Sequence, residues 1–282
     1  MRTVESCGLS AESIIVSNAP DRRERRILRA ALGSPWWADH SRLIAVPRET
    51  LYASWNRGVR ASSGSAITFW NADDYRNPEA IVESVELIRQ GKALVRLPWL
   101  NVVQRKHPGG GENRIVEIKD PDHDNALNPQ SDFCLGPFFV FSRHLFEEFG
   151  PFDEQFHIVG DYDWQLRVVP HTGLPWGKRL GGVFFVDGTN LSSTGSQRLL
   201  AEQNLLRKRY ELDRPPWPLD HRAEGLFQTY RVAPSQGGVT TSDWSYDRQW
   251  RRQRALSRIY HRCRRFVGTP IRLARSLVRA SR

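Results

Sequence analysis

The segment Ala66-Ile67-Thr68-Phe69-Trp70-Asn71-Ala72-Asp73-Asp74 runs β-branched and aromatic residues straight into an amide and two carboxylates. Carboxylates just beyond the carboxyl end of a strand in an open α/β sheet can hold a hard cation against a phosphate-bearing ligand. The same acids can instead cap the helix that opens at Asn77-Pro78-Glu79, and residue types alone leave both readings open. A second acidic pair, Asp161 and Asp163, opens the stretch Gly160 to Val168. That stretch reads as a helix starting at its acidic end, with Trp164 and Val168 spaced to face a core.

Other chemistries find no support. The eight histidines form no H-x-x-x-H or His/Cys pairing, and Asp122-His123-Asp124 lacks a partner at ligand spacing. No G-x-S-x-G elbow is present, and Gly109-Gly110-Gly111 does not lie between a strand and a helix as a phosphate loop would. Cys7, Cys134 and Cys263 are odd in number and far apart, so they read as reduced thiols.

The elements that must position the acids follow from apolar periodicity and capping residues. Ser13–Ser17 and Arg42–Val46 have the length and branching of buried strands, with a helix between Asp21 and Gly33. Thr50 starts a helix to Ala61, the acidic strand end follows, and Pro78–Gln90 and Ala93–Val95 continue the alternation. Alternating strands and helices predict a mostly parallel mixed sheet flanked by helices. From Leu100 to Ser131 the chain is polar and turn-rich, with one hairpin expected around Arg114 to Lys119. Order returns with a strand Gly136–Phe141, a helix Arg143–Phe149 capped by Ser142, a strand Val183–Val186 and a helix Gln197–Tyr210. The Pro/Trp-rich stretch that follows takes no assignment.

With 282 residues, 39% of them hydrophobic, the chain can bury a substantial core. The formal net charge is +10. Twelve arginines and no acid lie between Arg248 and Arg282, so the body is nearly neutral and the charge belongs to the tail. There, apolar residues recur at helical spacing among the arginines, as in a helix that lies on an anionic membrane surface. A tail packed on the body and a nucleic-acid-binding arm are the competing readings. Neither a signal-type segment nor an apolar run long enough to cross a bilayer is found, and residence on the cytoplasmic side is expected.

In order along the chain stand Trp55-Asn56-Arg57-Gly58, Trp70-Asn71-Ala72-Asp73-Asp74, Pro78-Glu79, Gly136-Pro137-Phe138-Phe139, Gly150-Pro151-Phe152-Asp153-Glu154 and Gly160-Asp161-Tyr162-Asp163-Trp164-Gln165-Leu166-Arg167. Each is a weak signal, but six in this order make the chain resemble the family 2 glycosyltransferases of the GT-A fold, over roughly Ser13 to Tyr210. The resemblance implies inverting transfer of a sugar from a nucleotide-sugar donor to a glycan or lipid-linked glycan acceptor, in surface polysaccharide assembly. It implies a divalent cation, Mn2+ or Mg2+, held by Asp73 with Asp74 and neutralising the diphosphate leaving group. Donor contacts are implied for Ser17, Asn56, Asn71 and Asp73, with an amide facing a neighbouring loop as the competing reading of Asn56. Asp161 is implied as the base that deprotonates the acceptor hydroxyl, and Arg167 as its neighbours' structural ion-pair partner.

Departures limit the transfer of roles. Asn71 replaces the motif's first aspartate, the second strand ends Val46-Pro47-Arg48-Glu49 where the family often offers an aspartate to the base of the nucleotide, and Gly160 replaces a frequent glutamate. Loss of that like charge should leave the pKa of Asp161 less elevated. The expected organisation is a GT-A-like domain over 1–215, a connecting segment over 216–247 and an Arg-rich amphipathic tail over 248–282. A non-catalytic scaffold of the same fold, or a basic nucleic-acid binder, is the alternative, although nucleic acid is not the expected partner.

Overall fold

The computed structural model describes residues 8–33, 35–105, 112–121, 127–186, 197–212 and 229–230. The chain opens with β1 (Ser13–Asn18), α1 (Arg22–Leu32), α2 (Pro35–His40) and β2 (Ser41–Val46), and the two strands pair in parallel. Asp21 caps α1 by accepting from the Glu24 amide at 2.7 Å. The helix α3 (Leu51–Ala61) begins where Thr50 Oγ1 accepts from the Ala53 amide at 3.2 Å. After β3 (Ala66–Thr68) and β4 (Tyr75–Arg76) comes α4 (Pro78–Arg89), entered through Asn77, whose side chain accepts from the Glu79 amide at 3.1 Å.

The middle of the chain supplies β5 (Leu94–Arg96), β6 (Trp99–Arg105) and β7 (Glu112–Lys119). Then follow β8 (Phe139–Ser142), α5 (Arg143–Phe149), α6 (Gly160–Thr172), β9 (Gly182–Val186), α7 (Gln197–Tyr210) and the two-residue β10 (Thr229–Tyr230). Among the described residues β3, β8 and β5 form one sheet with β8 central, and β10, β7, β6, β9 and β4 form another in that order. The fold is thus the expected mixed α/β arrangement. Its balance differs, because only β1 with β2 and β6 with β9 pair in parallel between named strands. The hairpin expected around Arg114 to Lys119 is present and longer than expected: β6 and β7 form an antiparallel ladder from Trp99↔Lys119 to Arg105↔Glu112.

Two local readings are corrected. Ser142 makes no side-chain bond at the head of α5. The strand expected from Gly136 begins only at Phe139, because Gly136 has φ +68° and packs under Trp99, where a Cβ would lie 2.3 Å from the ring. A side chain there is excluded both by the backbone region and by the indole.

The main core lies between the β3–β8–β5 sheet and helices α3 and α6. Aromatic rings dominate it. Trp55 of α3 stacks on Phe69 at 4.0 Å, Phe152 stacks on Trp164 of α6 at 5.0 Å, and Phe69 meets Phe152 edge-on at 5.5 Å. The fully buried rings of Phe152 and Trp164 each stabilise the fold by roughly 2–3 kcal/mol, and the partly buried Trp55 and Phe69 by less. This chain of rings is what fixes the end of β3 relative to the head of α6. No helix among the described residues is long and apolar enough to cross a membrane.

Candidate functional site

The loop after β3 separates its two acids by environment. Asp74 is buried: it accepts from Asn71 Nδ2 at 3.0 Å through Oδ2 and from the Phe185 amide at 3.4 Å through Oδ1. The indole of Trp70 also closes the loop, donating to the Asp74 carbonyl at 3.0 Å. Burial raises the Asp74 pKa to about 6, the neighbouring Asp73 charge adds to that, and Asn71 and Arg76 oppose it. Arg76, fully buried behind the loop, donates to the Phe139 carbonyl at 3.1 Å and to Thr68 Oγ1, and burial lowers its pKa to about 9. Asp73 is different. It is exposed, and among the described residues nothing contacts its carboxylate.

This donor set fits a hard cation in one specific way. Among the described residues no three His, Cys, Asp or Glu side chains come together as a metal-holding group. A cation such as Mg2+ is commonly held by one or two carboxylates, with water and phosphate oxygens completing its shell. Asp73 has the free oxygens for that role, whereas both oxygens of Asp74 already hold the loop.

At the second acidic site the pair also divides. Asp163 is 1% exposed and accepts from Arg209 at 2.6 Å, Tyr210 Oη at 2.9 Å and Arg167 Nε at 3.1 Å. It is a structural anchor between α6 and α7, and Arg167 is its ion-pair partner at helical spacing. Asp161 is half-buried, and its Oδ1 accepts from the Tyr162 amide at 2.9 Å and from Tyr52 Oη at 3.0 Å. No described residue contacts its Oδ2. Burial lifts the Asp161 pKa to about 6, the tyrosine hydroxyl opposing the shift. The elevation therefore arises from desolvation, although the like charge expected of a glutamate at 160 is absent.

Asp161 does not cap α6. That helix starts after Val159, and the segment just ahead of it is held from another element: Glu202 of α7 accepts from Ile158 at 2.8 Å, His157 at 3.0 Å and Val159 at 3.2 Å. Asp161 takes the Tyr162 amide of the first turn through Oδ1 alone, which leaves Oδ2 for chemistry.

The remaining expected donor contacts fall elsewhere. Asn56 is completely buried and clasps the Phe152 backbone from both sides, donating to its carbonyl at 2.8 Å and accepting from its amide at 2.9 Å. Its Nδ2 also meets Glu154 Oε1 at 2.8 Å, so the amide faces the protein and binds α3 to the loop before α6. The Ser17 hydroxyl donates to Glu24 Oε1 at 2.6 Å. Ser17 also lines a cavity of about 550 Å3 between α1 and β2, together with Arg25, Arg29 and Leu43. Glu49 accepts from Arg57 at 2.8 Å and Ser54 at 3.0 Å, and the Arg57 hydrogen bond lowers its pKa. The segment Asp187 to Gly195, the loop residues 122–124, the tail, Cys7 and Cys263 lie outside the described residues, while Cys134 is buried.

Two residues of the site escape sequence reading. Glu202 reaches its amides across more than forty residues, with no local signal. Tyr52 had one: it lies four residues before Asn56, on the same face of α3, and so looks towards the same loop.

A family model described as Glycosyl transferase family 2 matches residues 2–150. Among solved structures, the crystal structure of S. aureus TarS is similar at 12% identity and a TM-score of 0.48, covering 71% of this chain and 34% of that one. The crystal structure of S. aureus TarS 1-349 is similar at 11% identity and a TM-score of 0.44, covering 62% and 51% respectively. The chain thus spans about a third to a half of those proteins. Among curated proteins none matches.

Proposed function

Since the chain belongs to glycosyl transferase family 2, whose model matches over half of it, we propose that it transfers a sugar from a nucleotide-sugar donor to a glycan or lipid-linked glycan with inversion. The observation that carries this reading is Asp161, whose Oδ1 is anchored by two donors while Oδ2 accepts no hydrogen bond from the described residues. Oδ2 takes the proton of the acceptor hydroxyl as that oxygen attacks the anomeric carbon. The bond from that carbon to the diphosphate breaks, and its electron pair leaves with the nucleoside diphosphate. A pKa of about 6 suits the step, since the base is ionised near neutrality yet avid enough to accept a proton.

On the donor side, Asp73 is the residue with oxygens free for a Mn2+ or Mg2+ ion, which would supply charge neutralisation for the departing diphosphate. Asn71 and Asp74 shape the loop that presents it. Ser17, at the cavity beside β1, is the proposed donor contact on the other flank. The organisation proposed is a transferase body over 1–215, a connecting segment over 216–247 and a tail over 248–282. The arginines of that tail are read as contacts to an anionic membrane on the cytoplasmic side, as suits a lipid-linked acceptor in surface polysaccharide assembly.

The test is a thermal-shift screen of sugar nucleotides with and without Mn2+, since a ligand bound only by the folded state raises its Tm. A shift that needs both donor and cation, and is lost in Asp73→Ala, supports the donor site. No shift with any donor, together with salt-sensitive RNA binding, would replace this reading with that of a non-catalytic binder. Removing 248–282 should release the protein from membrane fractions if the tail holds it there.

A further inference from the structure

Tyr52 reaches the proposed base from a different helix. Its hydroxyl stands 2.7 Å from the Ile158 carbonyl and 3.0 Å from Asp161 Oδ1, so one proton ties the segment leading into α6 to the carboxylate itself. The ring is equally constrained: it stacks on Phe152 at 6.2 Å, meets Trp55 edge-on at 5.5 Å and is 1% exposed. It lies directly on Gly160, where an added Cβ would come 2.6 Å from the ring. The glycine beside the base is thus not a vacant position, because the space of a side chain at 160 is filled from α3.

Resting on the reading of Asp161 as base, we propose that Tyr52 is its positioning residue, and that Tyr52 and Gly160 form one unit that sets the carboxylate's rotation and proton affinity. With the phenol and the Tyr162 amide both donating to Oδ1, the carboxylate cannot turn without losing two hydrogen bonds, and Oδ2 is the oxygen presented to the acceptor. A donor bonded to the ionised form also favours that form, so Tyr52 restrains the rise in pKa that burial imposes. Removing the hydroxyl leaves the burial and the ring in place and should raise the proton affinity of Asp161.

Other charges around the carboxylate stay where they are in such a variant. Glu202 of α7 is held by the amides of His157, Ile158 and Val159, and Asp163 is paired with Arg167 and Arg209 under Tyr210. A change in titration therefore reports the Tyr52 hydroxyl.

The test needs no substrate. The full chain carrying 13C-labelled aspartate is titrated by NMR, with Asp161→Asn identifying the Asp161 resonance. Wild type should titrate near 6, and Tyr52→Phe should move the midpoint upwards by about half to one unit, a hydrogen bond's effect. Thermal melting of Tyr52→Phe checks that the fold survives. An Asp161 midpoint that is unchanged or lower in the folded variant overturns the proposal. Turnover with the donor found by thermal shift adds a second readout: Tyr52→Phe should lower kcat, most steeply below pH 7, with KM for the donor within about twofold. Should Asp161→Asn turn over normally, the reading of the base itself falls. Should Asp161→Asn be inactive while Tyr52→Phe keeps the wild-type profile, only the role of Tyr52 falls.

Discussion

Asn71 donates through Nδ2 to Oδ2 of Asp74 over 3.0 Å, and this bond decides which of two adjacent acids is left facing outwards. With Asp74 occupied, Asp73 is the one that can meet a ligand. Restoring an acid at the amide's position, Asn71→Asp, should turn the bond into a repulsion between carboxylates. The variant is expected to lose about 1–3 kcal/mol of stability at pH 8, and less at pH 5 where Asp74 carries its proton, as urea unfolding at the two pH values would measure.

Asp74 itself has a stability signature. Its folded pKa of about 6 lies above the ordinary 3.8, so its contribution is fully present below 3.8 and is lost as the pH rises through 6. Asp74→Asn keeps a neutral acceptor and removes that penalty. It should raise the unfolding free energy at pH 8 by roughly 2 kcal/mol and leave it nearly unchanged at pH 3.5. Equal effects at both pH values would contradict the assignment.

For turnover the sign is opposite to that for stability, because a base must be ionised. Activity should fall as the pH drops through about 6, the value for Asp161. Asp161→Asn should cut kcat by about 100- to 10,000-fold, with the donor-dependent Tm shift retained. A steady-state pH profile and the same melting assay give both readouts.

Asn56 predicts a failure of folding and not of binding. Asn56→Ala leaves the Phe152 amide and carbonyl without their clasp in the core. A cost of about 2–4 kcal/mol is expected, visible as a lower urea midpoint. The donor affinity of the remaining folded protein should stay close to that of wild type.

These predictions sit differently with respect to the sequence. The helices α1, α3 and α4 were legible because Asp21, Thr50 and Asn77 announce them locally and each makes the expected capping bond. The β6–β7 ladder was legible only in part: a hairpin was expected around Arg114 to Lys119, but polar residues among the apolar ones hid the reach of β6 from Trp99 to Arg105. The six-residue α2 is too short for periodicity to register. At the site, residue type put Asp73 and Asp161 forward as candidates, while Asn56 and Asp163 spend their polar atoms on the protein. That allocation depends on partners about fifty to a hundred residues away, which no local pattern encodes. Glu202 escaped for the same reason, whereas Tyr52 had a local signal in its helical spacing from Asn56.

Glu202 carries a consequence for where the protein can be divided. The family match stops at 150, and a fragment ending there would keep Asp73 and Asn56 but lack Asp161, the proposed base. One ending at Thr172 would contain Asp161, but with three amides ahead of it released to water and Asp163 stripped of Arg209 and Tyr210. On the proposed reading, a fragment able to transfer sugar would thus have to extend through α7. That last helix would touch no reacting atom and would still decide whether the preceding half can act on them.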